Sequence, residues 1–244
     1  MFIGLPVENQ DRTKREEQLR AEFNRWAEAG RGEEMREEHL HIAQKMLAQI
    51  SFAPDDKILD IGCGIGWLCG LLVARVPRGQ VVGIDVADEM IRRARTAYAD
   101  RINMMFIIAG VADIPWDDTF FNKVVSVEAA YYWPAPAQGF REIYRVLQPQ
   151  GTVWILLNLY KENVSAHQWA EKLAVPVHLL SGEEWCGLMQ QAGFAETRQA
   201  RIVDTRPVPD DYDYHSQWFK NADQVRRFRA AGALLLCGRK PPPG

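Results

Sequence analysis

From Lys57 onward, short apolar runs alternate with segments whose apolar residues recur every three or four positions. The apolar runs predict strands at 57–61, 80–85, 103–108, 122–127, 151–158, 195–203 and 231–238. The three-and-four pattern predicts helices at 66–76, 88–99, 136–147 and 182–192. Punctuation agrees with these bounds. Gly79 and Gly151 precede strands, Pro149 closes the helix before it, and Gly193 follows a helix at the position favoured by glycine. Strands alternating with helices imply βαβ units and a mostly parallel sheet, an α/β fold.

The first fifty residues differ. Residues 8–50 are strongly charged and helical in pattern, with Phe23, Trp26 and Ala27 on one stripe. A second helix, 33–50, carries Met35, His39, Ile42, Ala43, Met46, Leu47 and Ile50 on one face. Gly30-Arg31-Gly32 separates the two. The expected organisation is a helical segment over 1–50 and the α/β domain over 51–244. Residues 204–229 follow neither period and read as an irregular insertion beside the substrate.

Composition narrows the class. The chain has 244 residues, 25% charged and 47% hydrophobic, which is ordinary for a globular protein able to bury a core. A formal net charge of −3 gives no field to draw nucleic acid, and the Arg92–Arg95 and Arg226–Arg229 clusters are short. No apolar run reaches the length of a membrane span, and the opening residues lack a signal-peptide pattern. Cys63, Cys69, Cys186 and Cys237 form no C-x-x-C pair, so neither zinc nor a disulfide framework is indicated. A reducing cytoplasm is the expected location.

The chemistry concentrates in Ile58-Leu59-Asp60-Ile61-Gly62-Cys63-Gly64-Ile65-Gly66. A strand ends in a glycine-rich turn, and a helix opens where its N–H groups are unpaired. That arrangement holds a nucleotide-type cofactor. The glycines are spaced two and two, whereas a dinucleotide fingerprint places its third glycine five positions after the first. Asp60 is a poor neighbour for a pyrophosphate and a good one for an ammonium group. A cofactor with an amino-acid end and no phosphate, S-adenosylmethionine, fits better, and its product is S-adenosyl-L-homocysteine. Asp85 ends the second strand 19 positions after Gly66, the distance at which an acidic residue grips a ribose. Ligands in open α/β sheets lie beyond the carboxyl ends of the strands. Backbone at Val111 and Ala112 therefore faces the adenine edge, with Val86 and Met90 over its faces.

The fourth strand leads into Glu128-Ala129-Ala130-Tyr131-Tyr132-Trp133. Glu128 can orient the cofactor or take a proton, and the three aromatics can line an apolar acceptor pocket. An aromatic face beside a sulfonium also gains cation–π attraction. His39 and Tyr131 join Glu128 as candidate catalytic groups, and Trp26 joins the pocket. The chain carries no H-E-x-x-H, no G-x-S-x-G and no acidic metal cluster, so no metal is expected.

Taken together, Ile58–Trp67, Val82–Met90, Val111–Trp116, Lys123–Trp133 and Phe140–Gly151 resemble the class I S-adenosylmethionine-dependent methyltransferases. The resemblance is nearest to bacterial small-molecule enzymes of the ubiquinone/menaquinone and sterol type. It implies a Rossmann-like seven-stranded sheet in the order 3-2-1-4-5-7-6, with helices on both faces, the last strand antiparallel, and an N-terminal helical cap that includes Trp26. It further implies that Asp60, with Gly62 and Gly64 of the cofactor loop Gly62-Cys63-Gly64-Ile65-Gly66 that follows it, holds the methionine end. Asp85 would hold the ribose, Val111 with Ala112 the adenine, and Glu128 would sit near the methyl donor. One departure concerns the cofactor: Gly110 stands where the family often has an acidic residue for the adenine amino group. The expected reaction is methyl transfer to a small-molecule acceptor without nucleic acid or a membrane span. A nicotinamide-dependent oxidoreductase and a non-catalytic cofactor-binding protein remain alternatives. The acceptor and the oligomeric state are not encoded legibly.

Overall fold

The computed structural model describes residues 7–208 and 218–243. Two N-terminal helices, α1 (Val7–Glu28) and α2 (Arg31–Leu47), precede β1 (Lys57–Ile61), α3 (Trp67–Val73), β2 (Gln80–Asp85), α4 (Asp88–Ala97) and β3 (Met104–Ile108). Then come β4 (Phe121–Val127), a 3₁₀ turn at Ala130–Tyr132, α5 (Pro136–Val146) and β5 (Leu147–Leu157). The chain closes with α6 (His167–Lys172), α7 (Gly182–Gln191), β6 (Ala195–Ile202), α8 (Ala222–Ala231) and β7 (Ala233–Arg239). The seven strands form one sheet in the order β3-β2-β1-β4-β5-β7-β6. β7 runs antiparallel to both of its neighbours, and β1 to β5 are parallel. Strand order and direction are those the resemblance implied.

The inner strands are buried on both faces, which is why they read as continuous apolar runs. Successive residues serve opposite layers. Leu59 and Ile61 pack with Phe140 and Ile143 of α5 and Trp185 of α7, while Ile58 packs with Leu68 and Leu72 of α3 and Ile91 of α4. The second layer also takes Ile42, Ala43, Met46 and Leu47 of α2, so the C-terminal half of this helix is part of the sheet's core. Each such aliphatic side chain contributes about 1.5–3 kcal/mol on burial. α1 is tied instead to the start of α4: Asn24 donates to Asp88 (2.8 Å) and accepts from the Glu89 N–H (3.0 Å).

Several boundaries differ from the sequence reading. The break between α1 and α2 is only Ala29-Gly30, with Gly30 at φ 78°, so α2 begins at Arg31 and not at 33. α3 stops at Val73, because its last residues close as turns ahead of Pro77. β5 starts at Leu147, and a register shift between its two ends accommodates Pro149 and Gln150, the latter at φ 64°. Within 204–229, α8 forms from Ala222, capped by Asn221, which accepts from the Gln224 N–H. Residues 209–217 of that insertion lie outside the described residues. α7 keeps its expected place, fixed by a capping box between Ser181 and Glu184.

Candidate functional site

The carboxyl ends of β1 to β4 open onto one cavity of about 240 Å³, roofed by α1 and α2. Its floor is the loop Gly62-Cys63-Gly64. Gly62 lies at φ 75°, and a Cβ there would overlap the Ala129 methyl. Only glycine allows this backbone beside the segment after β4. The Gly62 and Cys63 N–H groups both donate to the Ile84 carbonyl, at 2.8 and 3.0 Å, which locks the loop to the end of β2. Met90 lies against the loop, its Sδ 4.0 Å from the Cβ position of Gly64.

Asp85 is the hinge of this half. Its carboxylate accepts from the Gly64 N–H (2.9 Å) through Oδ2 and from the Ala87 N–H (2.9 Å) through Oδ1. Burial raises its pKa, while the backbone donors at Ala87, Gly64 and Val86 lower it. Each oxygen retains a lone pair, and the side chain lines the cavity. The group can therefore hold the loop and accept from two vicinal hydroxyls at once.

Asp60 is placed differently from its expected role. It lies behind the cavity wall, 1% exposed, where Cys69 Sγ of α3 donates to its Oδ2 at 3.2 Å. Burial pushes its pKa up to about 7. Gly66 and Ala112 also lie outside the lining. At Gly66 the ring of Phe106 and the Ala94 methyl leave no room for a side chain, which makes it a packing glycine. The structure brings together Gly62, Cys63, Gly64, Asp85, Val86, Met90 and Val111 at one end of the cavity.

Glu128, His39, Tyr131, Tyr132, Trp133 and Trp26 line the same cavity, and Trp26 packs against the cluster that contains Met90 and Ala87. Glu128 follows β4 at φ 56°, a left-handed conformation uncommon outside glycine and a mark of functional geometry when the surroundings enforce it. Its Oε2 accepts from Tyr131 Oη at 3.0 Å, and its Oε1 is buried without a hydrogen-bond partner among the described residues. Burial pushes its pKa to about 8, so the carboxyl is neutral at pH 7 and its conjugate base is strong for a carboxylate. His39 is pushed the other way, down to about 4, by burial and by Arg206. It stays a neutral imidazole. Trp26 donates to Glu22 at 2.7 Å, and its ring meets Phe23 edge-on. Phe23 in turn meets Tyr132 edge-on, so the aromatic wall is continuous.

The far wall is built by the 204–229 segment, read from the sequence as an insertion beside the substrate but with no residue singled out, together with Trp169, which the sequence reading missed. Trp169, Trp218, Phe219 and Phe228 pack ring against ring there, with Arg206 and Asp204 paired beside them. α6 has six residues, too few for a periodic signal, and α8 offers only Val225 and Phe228 at helical spacing. Arg31 and Glu16 also reach the cavity from the charged N-terminal helices.

Comparison with known proteins identifies the family. Residues 59–155 match the methyltransferase domain family. A ubiquinone/menaquinone biosynthesis C-methyltransferase of Geotalea daltonii is 36% identical over 114 residues, 44% of this chain and 48% of that protein. An arsenite methyltransferase of Halobacterium salinarum is 27% identical over 184 residues, 71% of this chain and 44% of that protein. The chain thus spans about half the length of these curated relatives. Among solved structures, a candidate methyltransferase in complex with the Haloferax volcanii Trm112 methyltransferase activator superposes with a TM-score of 0.83. It is 32% identical, and the alignment covers 90% of this chain and 98% of that one. The chain belongs to the class I S-adenosylmethionine-dependent methyltransferases. No helix among the described residues is long and apolar enough to cross a membrane.

Proposed function

We propose that this protein transfers the methyl group of S-adenosylmethionine to a small-molecule acceptor with an apolar or aromatic body. The observation that carries the reading is the single cavity joining the Asp85 and glycine-loop end to the aromatic end at Glu128. S-adenosylmethionine supplies an activated methyl group, and displacement at that carbon needs alignment and a dry site more than covalent help. Asp85 accepts from the ribose hydroxyls, Val86 and Met90 cover the adenine, and the Gly62–Gly64 backbone gives the methionine end close approach. Tyr132, Phe23 and Trp26 hold the acceptor and exclude water. Glu128 Oε1 meets the reacting acceptor atom: the neutral carboxyl donates a hydrogen bond to it, and for an acceptor that must lose a proton the ionised fraction, which grows as pH approaches about 8, receives that proton, with Tyr131 fixing the carboxyl's orientation. His39 acts as a hydrogen-bond acceptor and carries no charge.

Calorimetry with S-adenosylhomocysteine and NADH, followed by transfer of labelled methyl to quinols, phenols and carboxylic acids, tests the proposal. Tight binding of the first and label in an extractable small molecule are expected. NADH binding in its place supports the oxidoreductase alternative, and cofactor binding without transfer supports the non-catalytic one.

A protein partner is a further proposal, carried by the edge of the sheet. β3 is the outermost strand, and Met105 and Ile108 are each 42% exposed on it. Exposed apolar edge strands are pairing sites unless covered. The Haloferax relative's complex supports a Trm112-type activator as the cover. Co-expression with such an activator is expected to give a stable complex that Met105→Asp with Ile108→Asp abolishes, and unchanged co-purification of that variant would refute the site.

A further inference from the structure

Gly110 follows β3 and lacks a side chain where an acidic group would face the adenine amine. A carboxylate is nevertheless present at that spot, delivered from another element. Glu16 of α1 places its Oε1 3.2 Å from the position a Gly110 Cβ would occupy, and Val86 Cγ1 lies 3.6 Å from the same point. Glu16 lines the cavity on the same face of α1 as Leu19, Phe23 and Trp26. It makes no hydrogen bond or ion pair among the described residues. Arg12 and Arg20 act on it only through space, and Asp113 opposes them, while burial raises its pKa. The helix is anchored at this end of the cavity, since Arg20 Nε donates to the Val86 carbonyl at 3.1 Å.

We propose that Glu16 recognises the exocyclic amine of the adenine ring, replacing from the cap helix the acidic side chain that Gly110 lacks. The amine is a donor and the carboxylate accepts only, so the pair is complementary, and an oxo group in its place would repel Glu16. Gly110 and Glu16 are then one solution in two pieces. The missing Cβ makes room for the glutamate, and cofactor binding becomes coupled to the seating of α1.

The inference rests on the cofactor reading, and the test separates the two. Calorimetry is run with S-adenosylhomocysteine and with its inosine analogue, which has the amine replaced by oxygen. Glu16→Ala is expected to weaken S-adenosylhomocysteine about tenfold, the worth of one charge-assisted hydrogen bond, and to tighten the inosine analogue by relieving the repulsion of its oxo group. Adding Gly110→Asp to Glu16→Ala is expected to restore the preference for the amine. Unchanged S-adenosylhomocysteine affinity in Glu16→Ala, or equal loss for both ligands, overturns the proposal. Failure of the unaltered protein to bind either ligand overturns the cofactor reading instead.

The same helical roof carries an independent feature. The Arg31 guanidinium lies 4.1 Å from the Trp26 ring centroid and 5.6 Å from that of Trp218, and it forms no hydrogen bond or ion pair among the described residues. It lines the cavity, within electrostatic reach of the Tyr132 hydroxyl and of Glu38. Stacking fixes a guanidinium's plane and leaves its N–H edge free for a forked anion. We infer that Arg31 anchors an anionic group, carboxylate or phosphate, on the apolar acceptor, an inference that rests on the acceptor reading above. With S-adenosylhomocysteine bound, benzoate or phenyl phosphate is expected to bind at least about tenfold tighter than benzamide, and Arg31→Gln to erase the difference. Whichever acid gains more identifies the anion. Equal binding of all three, no binding by either acid, or a preference that survives Arg31→Gln overturns the inference, while cofactor affinity reports separately on the donor site.

Discussion

Replacing Asp85 with alanine tests the central claim about the donor half, that one carboxylate holds both the loop and the ribose. The substitution removes the acceptor for the Gly64 and Ala87 N–H groups, each bound at 2.9 Å. A hydrogen bond to a charged acceptor contributes about 1.5–3 kcal/mol, so losing two would cost about 3–6 kcal/mol if nothing opposed it. Something does oppose it: burial raises the pKa of Asp85, so the ionised group is itself disfavoured in its site, and alanine relieves that cost. A net loss of about 3 kcal/mol is expected, a fall in Tm of about 6–12 °C for a chain of this length. Cofactor affinity should fall further, by about 10- to 100-fold, because the ribose acceptors disappear as well. Asp85→Asn keeps one acceptor oxygen and should lose about half the stability while still binding weakly. Differential scanning fluorimetry gives the first quantity and calorimetry with S-adenosylhomocysteine the second. A Tm within about 2 °C of the unaltered protein would refute the loop-holding role, since even 1 kcal/mol should move it that far. An affinity within twofold would refute the ribose role.

Glu128 gives a pH signature. Its pKa rises from an ordinary 4.5 to about 8 in the folded protein, so the native state holds the proton more firmly than the unfolded one. Its contribution to stability is therefore complete below the unfolded value and is lost as pH rises through that window. Glu128→Gln cannot titrate, and its denaturation midpoint should fall less between about pH 5 and about pH 8 than that of the unaltered protein; parallel curves would show that the carboxyl is not buried neutral. Gly62→Ala must bear a left-handed φ, costing about 1–2 kcal/mol, and must also push Ala129 aside, so cofactor binding should be lost. Gly187→Ala, with nothing within 4 Å of its Cβ position and helical backbone, should instead stabilise by about 0.5–1 kcal/mol, and thermal melts compare the two. Lys123 pairs with Asp56 at 2.7 Å, both largely buried, and Lys123→Met leaves a buried charge unpaired. That variant should lose about 3–5 kcal/mol in urea unfolding while its folded fraction keeps full cofactor affinity.

The sequence by itself determined the sheet and the meeting of the glycine loop and Asp85 at its carboxyl edge. Strand and helix periods reflect which residues two helical layers must cover, and that requirement is local enough to read from one chain. The glycine loop and Asp85 were legible because the backbone conformation and the distance along the βαβ unit are both set within about 25 residues. Tertiary structure decided what local pattern cannot carry. Asp60 faces Cys69 because alternate residues of β1 serve opposite layers, and no spacing rule says which layer meets the ligand. That Trp218 and Phe228 of the insertion meet Trp169 ring against ring is decided by packing, because α6, which carries Trp169, is remote in sequence and too short for a periodic signal. Most plainly, the gap left by Gly110 is met by Glu16, 94 positions earlier in the chain. The sequence displays the missing side chain, and only the docking of α1 supplies its replacement, because hydrogen-bond complementarity depends on distance in space and not along the chain.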